Sequence, residues 1–290
     1  MGAMASEKQY DDRYWQSVDG LRLHYRDYPG GEGRPPILCI PGLTRNARDF
    51  AALAERLSPQ WRVLCVELRG RGGSDYAKDS ATYAPETYAA DIEALIAELG
   101  IAQFILVGTS LGGLISMILA ASGAGRIAAV VLNDIGPVIE AAGLDRIKAF
   151  VGRNLSWPTW VHAARALAEG NRDIYPDYGL ADWIAMAKRL YRLTSGGRIV
   201  PDYDLKIADL VKQPAAPVDL WPYYDALAKV PTLILRGEHS DLLSAATAEN
   251  MAARRTGATL VTVPRVGHIP TLTEPAAIAA IDTLLASIKA

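Results

Sequence analysis

The chain has 290 residues, with 30 Lys+Arg against 32 Asp+Glu and a formal charge of −2. That near balance leaves no uniform positive field for a nucleic-acid backbone, and a composition half hydrophobic and 21% charged is that of a globular chain rather than a disordered one. The length suits two domains or one large α/β domain carrying an insertion.

Residues 1–6, Met-Gly-Ala-Met-Ala-Ser, have neither the basic start nor the apolar centre of a signal peptide and read as a cloning remnant outside the fold. Short apolar runs follow at 37–40, 63–66, 104–107, 129–132, 232–235 and 259–263. Continuous rather than alternating hydrophobicity predicts strands buried on both faces, hence a parallel sheet between helices. Between the runs, Phe50, Leu53 and Leu57 suggest one helix. Tyr88, Ile92, Leu95, Ile96 and Leu99 give another, with Pro85 at its start and Gly100 beyond its end. Ile278, Ile281, Leu284 and Leu285 predict a C-terminal helix. This alternation predicts a mostly parallel doubly wound α/β sheet flanked by helices.

Run starts are separated by 26, 41, 25, 103 and 27 residues. A βαβ unit needs about 30, so the long interval holds an insertion. The expected division is a core of residues 7–135 and 229–290, with a helical cap at 136–228. Helical patterns lie near 139–151, 160–168 and 183–193. Trp157, Trp160, Trp183 and Trp221 suit either a small aromatic core or a roof over a pocket beyond the strand ends. Trp157 and Trp183 are the expected substrate contacts.

Residues 104–125 contain no charge, and their length would satisfy the criterion for a membrane span, roughly 20 apolar residues. Their glycines and serines, and a mid-segment change of period, predict instead a strand, a tight turn and a buried helix. No membrane insertion is expected. Cys39 and Cys65 each sit inside an apolar run and read as buried small hydrophobes in a reducing, cytoplasmic setting, with a bridge between neighbouring strands as the alternative. No CxxC, HExxH or GxxxxGK[ST] pattern occurs, so no metal or cofactor is expected.

The chemistry concentrates in Gly108-Thr109-Ser110-Leu111-Gly112, directly between an apolar run and a helical stretch. A sharp strand-to-helix turn would hold Ser110 clear of the sheet, with flanking glycines permitting close backbone approach. The N–H of Leu111 would then point at a developing oxyanion. Here the sequence resembles the α/β-hydrolase fold superfamily from about residue 13 onward. The resemblance implies the chain order nucleophile, acid, histidine. Gly237-Glu238-His239-Ser240-Asp241 and Val266-Gly267-His268-Ile269-Pro270 each follow a strand-like run where the acid and the histidine belong. Arg69-Gly70-Arg71-Gly72-Gly73-Ser74-Asp75 is similar to the superfamily's turn between strand and helix; as a GxGxxG phosphate fingerprint it fails at Asp75.

The resemblance therefore implies Ser110 as nucleophile, His268 as base and Asp241 as the acid that fixes the imidazole. Asp134, at the end of 129–132, is the alternative acid, and His239 the rival base. A second oxyanion donor is expected from Pro41-Gly42-Leu43-Thr44-Arg45-Asn46, namely the N–H of Leu43, although Pro41 stands where superfamily members often have histidine. Arg45 is a candidate for binding a substrate carboxylate. The implied activity is hydrolysis of an ester or lactone of a small, largely apolar substrate through an acyl-enzyme. Carbon–carbon bond hydrolysis, cofactor-free perhydrolysis and a small-ligand receptor on a hydrolase scaffold are the alternatives.

Overall fold

The computed structural model describes residues 9–213 and 218–288; residues 1–6 lie outside them. The strands are β1 (Asp11–Gln16), β2 (Arg22–Tyr28), β3 (Ile37–Ile40), β4 (Val63–Val66), β5 (Phe104–Thr109), β6 (Ile127–Asn133), β7 (Tyr191–Leu193), β8 (Ile199–Pro201), β9 (Thr232–Gly237) and β10 (Ala258–Val263). The helices before the insertion are α1 (Ala51–Leu57), α2 (Pro85–Glu98) and α3 (Leu111–Gly123). Within it lie α4 (Ala141–Phe150), α5 (Trp160–Asn171), α6 (Leu180–Leu190), α7 (Ile207–Val211) and α8 (Trp221–Asp225). After it come α9 (Ala245–Ala253) and α10 (Pro275–Ala286).

Eight strands form one sheet in the order β1-β2-β4-β3-β5-β6-β9-β10. The six apolar runs of the sequence are its parallel strands. β1 and β2 add an antiparallel edge that the apolar-run pattern misses, because β1 is exposed except at Trp15 and both strands intersperse charged residues among the apolar ones instead of running continuously apolar. Along β5 the pleat divides the core: Phe104 and Leu106 pack on one face with α2 and α3, and Ile105 and Val107 on the other with α1 and α10. All four are fully buried, so truncating a Leu or Ile here to alanine costs about 2–5 kcal/mol.

α2 illustrates how local sequence sets a helix. Pro85 occupies its first turn, Tyr88, Ile92, Leu95 and Ile96 supply its buried stripe, and Gly100 at φ +62° ends it. The Ile101 N–H then returns to the Ile96 carbonyl at 3.0 Å.

The interval between β6 and β9 holds α4–α8 and the β7–β8 hairpin, whose residues 191–193 pair with 199–201. The helix read near 183–193 therefore stops at Leu190. Cys39 and Cys65 face each other in register on β3 and β4, both buried and both free thiols. Among the described residues no helix is long and apolar enough to cross a membrane.

Candidate active site

The parallel register of β5 and β6 pairs Thr109 with Asn133. Ser110 and Asp134, each the next residue along, thus leave the sheet side by side at its C-terminal edge, and the Ser110 N–H donates to the Asn133 carbonyl at 2.9 Å. Ser110 has φ +51° and ψ −116° and caps α3, a conformation that non-glycine residues rarely adopt. Space for the turn comes from its glycines. A Cβ on Gly112 would stand 2.0 Å from the Ile40 carbonyl oxygen, and one on Gly108 2.4 Å from the Gly112 carbonyl oxygen. Both obstacles are backbone, so neither position accepts a side chain without displacing a strand or the helix start.

His268 lies in the loop after β10. Three contacts hold that loop: Gly267 N–H donates to the Ile174 carbonyl at 2.7 Å, the Tyr175 hydroxyl to the Ile269 carbonyl at 2.7 Å, and Asn133 Nδ2 to the Pro270 carbonyl at 2.9 Å. Residues 174 and 175 belong to the insertion, so that segment grips the histidine loop directly. The imidazole Nε2 sits 3.1 Å from Ser110 Oγ, and Nδ1 sits 2.7 Å from Asp134 Oδ2. Asp134 is fully buried, at φ +56°. It also accepts from the Ser240 hydroxyl at 2.6 Å and from the Gly237 N–H at 2.8 Å. Three donors around one carboxylate satisfy a charge that burial alone would not tolerate.

Asp241, the first choice of acid from sequence, is not the carboxylate beside His268. Its oxygens take Arg146 Nε at 2.6 Å and Nη2 at 2.8 Å, and its side chain is one-third exposed. Arg146 holds the Asp241 carboxyl below the usual carboxylate range. The reason lies in the turn after β9, which delivers Ser240 to Asp134 and directs Asp241 toward α4. There Asp241 also accepts the Gly143 N–H through its carbonyl at 3.0 Å. Chain order alone places both aspartates correctly; strand register is the signal that separates them.

The remaining histidines go elsewhere. His24 bridges Glu67 and Asp12 at 2.8 Å each, His162 meets Thr159, and His239 is exposed beside Glu238. Leu111 opens α3, so its N–H has no helical acceptor and faces outward at the positive end of the helix dipole. Leu43 lies in the loop after β3, where Arg71 Nε binds its carbonyl at 2.9 Å.

The expected substrate contacts are less direct. Arg45 is paired with Asp49 through both carboxylate oxygens. Trp183 is buried edge-on against Tyr175 and Tyr178, with ring centroids 5.9 and 5.0 Å away, and Trp157 packs on Tyr191 at 4.7 Å. Sequence reasoning missed Ser240, Tyr175 and Arg71. The GxSxG pattern carries no information about these supporting groups.

Residues 37–281 match the alpha/beta hydrolase family. The chain belongs to that family. A crystal structure of an alpha/beta hydrolase from Novosphingobium aromaticivorans is 57% identical and superposes with a TM-score of 0.94 over 97% of this chain and 99% of that one. A 3-hydroxybutyrate-oligomer hydrolase of Cupriavidus necator is 32% identical, covering 89% of this chain and 90% of its own. A 2-(acetamidomethylene)succinate hydrolase of Mesorhizobium japonicum is 33% identical, covering 91% and 92%. The eight-stranded mixed sheet flanked by helices is the alpha/beta hydrolase fold.

Proposed function

We propose that this alpha/beta hydrolase cleaves a carboxylic ester of a small substrate through an acyl-enzyme on Ser110. The observation that carries the reading is the continuous chain from Ser110 Oγ through both His268 nitrogens to Asp134. His268 Nε2 takes the hydroxyl proton as Ser110 attacks the carbonyl carbon. Asp134 holds the Nδ1 proton in place, so the nitrogen facing Ser110 carries a lone pair, and it stabilises the imidazolium that forms. The N–H groups of Leu43 and Leu111 receive the tetrahedral oxyanion. Collapse breaks the bond to the leaving alkoxide, which takes the proton from His268. Water, deprotonated by the same imidazole, then releases the acid.

The Cupriavidus relative, similar along nearly the whole chain, supports hydrolysis of a short hydroxyacid ester. The Mesorhizobium relative supports a second reading, in which the same serine attacks an amide-type carbonyl. The segment 136–228 acts as a cap over the site, a role supported by its hold on the histidine loop through Ile174 and Tyr175.

The test is burst release of p-nitrophenol from p-nitrophenyl butyrate, combined with mass spectrometry after a fluorophosphonate. The expected result is one equivalent of burst and one adduct on Ser110, both absent in Ser110→Ala. Equal rates for the wild type and Ser110→Ala, with Ser110 unlabelled, would overturn the reading.

A further inference from the structure

Arg71 is fully buried and plays no part in the reaction scheme above. Its Nε donates to the Leu43 carbonyl at 2.9 Å, and its Nη1 to the Arg69 carbonyl at 2.6 Å and the Tyr88 hydroxyl at 2.9 Å. Its Nη2 meets no acceptor. Its partners are neutral, the Tyr88 and Tyr83 rings at 4.8 and 5.7 Å from the guanidinium carbon included, and among the described residues no carboxylate pairs with it. Arg69, two residues away, shows the contrast: Asp91 and Asp19 bracket its guanidinium.

Acids do lie close, in the segment that follows β8. Residues 202–204 run over the Arg71 segment, with Gly72 N–H donating to the Asp202 carbonyl at 3.1 Å and Asp204 N–H to the Gly70 carbonyl at 2.7 Å. Their carboxylates point elsewhere, Asp202 to Arg48 and Asp204 to the Tyr83 hydroxyl. A cation buried without a counter-charge is costly, and an apolar side chain would fill the space more cheaply. Such a charge is suited to a site where negative charge develops during the reaction.

We propose that Arg71 is a positioning residue for the oxyanion hole. Its Nε–carbonyl bond holds the peptide that follows Leu43, while the Arg45 N–H holds the preceding one, which carries the Leu43 N–H, through the Gly42 carbonyl at 3.1 Å, so Arg71 restrains the Leu43 backbone from its far side. Its unbalanced charge lies beneath the loop that receives the oxyanion. This inference rests on the acyl-transfer reading of Ser110. Because the oxyanion exists only after attack, the contribution falls on kcat and not on substrate binding. Loss of a direct oxyanion donor costs roughly 10²–10³ in kcat. Arg71 acts one peptide further back, so the expected loss is about 10- to 50-fold.

The experiment compares wild type, Arg71→Met and Arg71→Lys on p-nitrophenyl butyrate, with active sites titrated by a fluorophosphonate so that only folded enzyme is counted. Affinity for an alkylboronic acid, which forms a tetrahedral anionic adduct on the serine, is measured alongside. In Arg71→Met, kcat per titrated site should fall about 10- to 50-fold with KM within about twofold, and boronate affinity should fall by a similar factor. Arg71→Lys, which keeps the charge and loses the Nε bond, should fall between the two. Wild-type kcat and boronate affinity in both variants would overturn the proposal. A loss confined to the number of titratable sites, or failure of both variants to yield any, would assign Arg71 to folding and overturn it equally. If the wild type is not labelled at Ser110, the acyl-transfer reading fails first, and the two failures are distinguishable.

Discussion

Asp134→Asn is the most informative single substitution. Asparagine tolerates the positive φ of this position and is nearly isosteric, so fold and substrate binding should survive. What changes is the charge beside the imidazolium. With the two charge centres about 4 Å apart and an effective dielectric near 20, their attraction is worth about 4 kcal/mol, or roughly a thousandfold in rate. A second effect adds to it. An asparagine amide can donate to Nδ1, which puts the imidazole proton on Nε2, facing Ser110, where a lone pair is required. Together these should lower kcat by about 10³–10⁴ with KM little changed. The assay is p-nitrophenyl butyrate turnover per titrated site, with Asp241→Asn run in parallel. Asp241→Asn removes a partly exposed pair with Arg146 and should stay within about threefold of wild type. The reasoning fails if Asp134→Asn keeps more than a tenth of wild-type kcat, or if Asp241→Asn loses a hundredfold.

Two further outcomes follow from the packing and the charges. Gly112→Ala would drive a Cβ into the Ile40 carbonyl oxygen, only 2.0 Å away, and should destabilise the fold by about 3 kcal/mol or more in urea unfolding; a wild-type midpoint would contradict the close approach of α3 to β3. At His24, burial opposes protonation, but the hydrogen bonds its ring nitrogens donate to the Glu67 and Asp12 carboxylates outweigh it and raise the pKa above its ordinary value. A raised folded-state pKa stabilises below the unfolded value of about 6.5 and loses that contribution as pH climbs through the folded one. Glu67, with a pKa held low mainly by His24 against the effect of burial, stays charged across this range. The stability gap between wild type and His24→Gln should therefore be widest near about pH 6 and narrow toward about pH 9 in urea titrations. A gap that widens with pH would show that His24 is held neutral.

The parallel strands were legible because they are buried on both faces, which leaves uninterrupted apolar runs. β1 and β2 were not, since β1 at the sheet edge and the start of β2 carry residues such as Asp11, Arg13 and Arg22 on exposed positions. The β7–β8 hairpin escaped for a related reason: two three-residue strands are too short to show a period. At the site, Ser110 and its glycines announced themselves through spacing, and His268 through its place after the last strand. The aspartates were different. Asp134 and Asp241 both follow a strand and both precede His268, so linear order gives them equal standing.

Sequence alone determined the elbow, the alternation of strands and helices, and the long interval between β6 and β9. Each depends on neighbours within one turn or one strand, where burial and backbone sterics act locally. Tertiary structure decided which carboxylate meets the imidazole, where Arg71 points, and which aromatics of the insertion are spent on its own core. Those outcomes depend on strand register and on hydrogen bonds between residues more than a hundred positions apart, such as Asp134 with Gly237 and with His268. A one-dimensional pattern carries no distance information across such separations, and only the closed sheet supplies it.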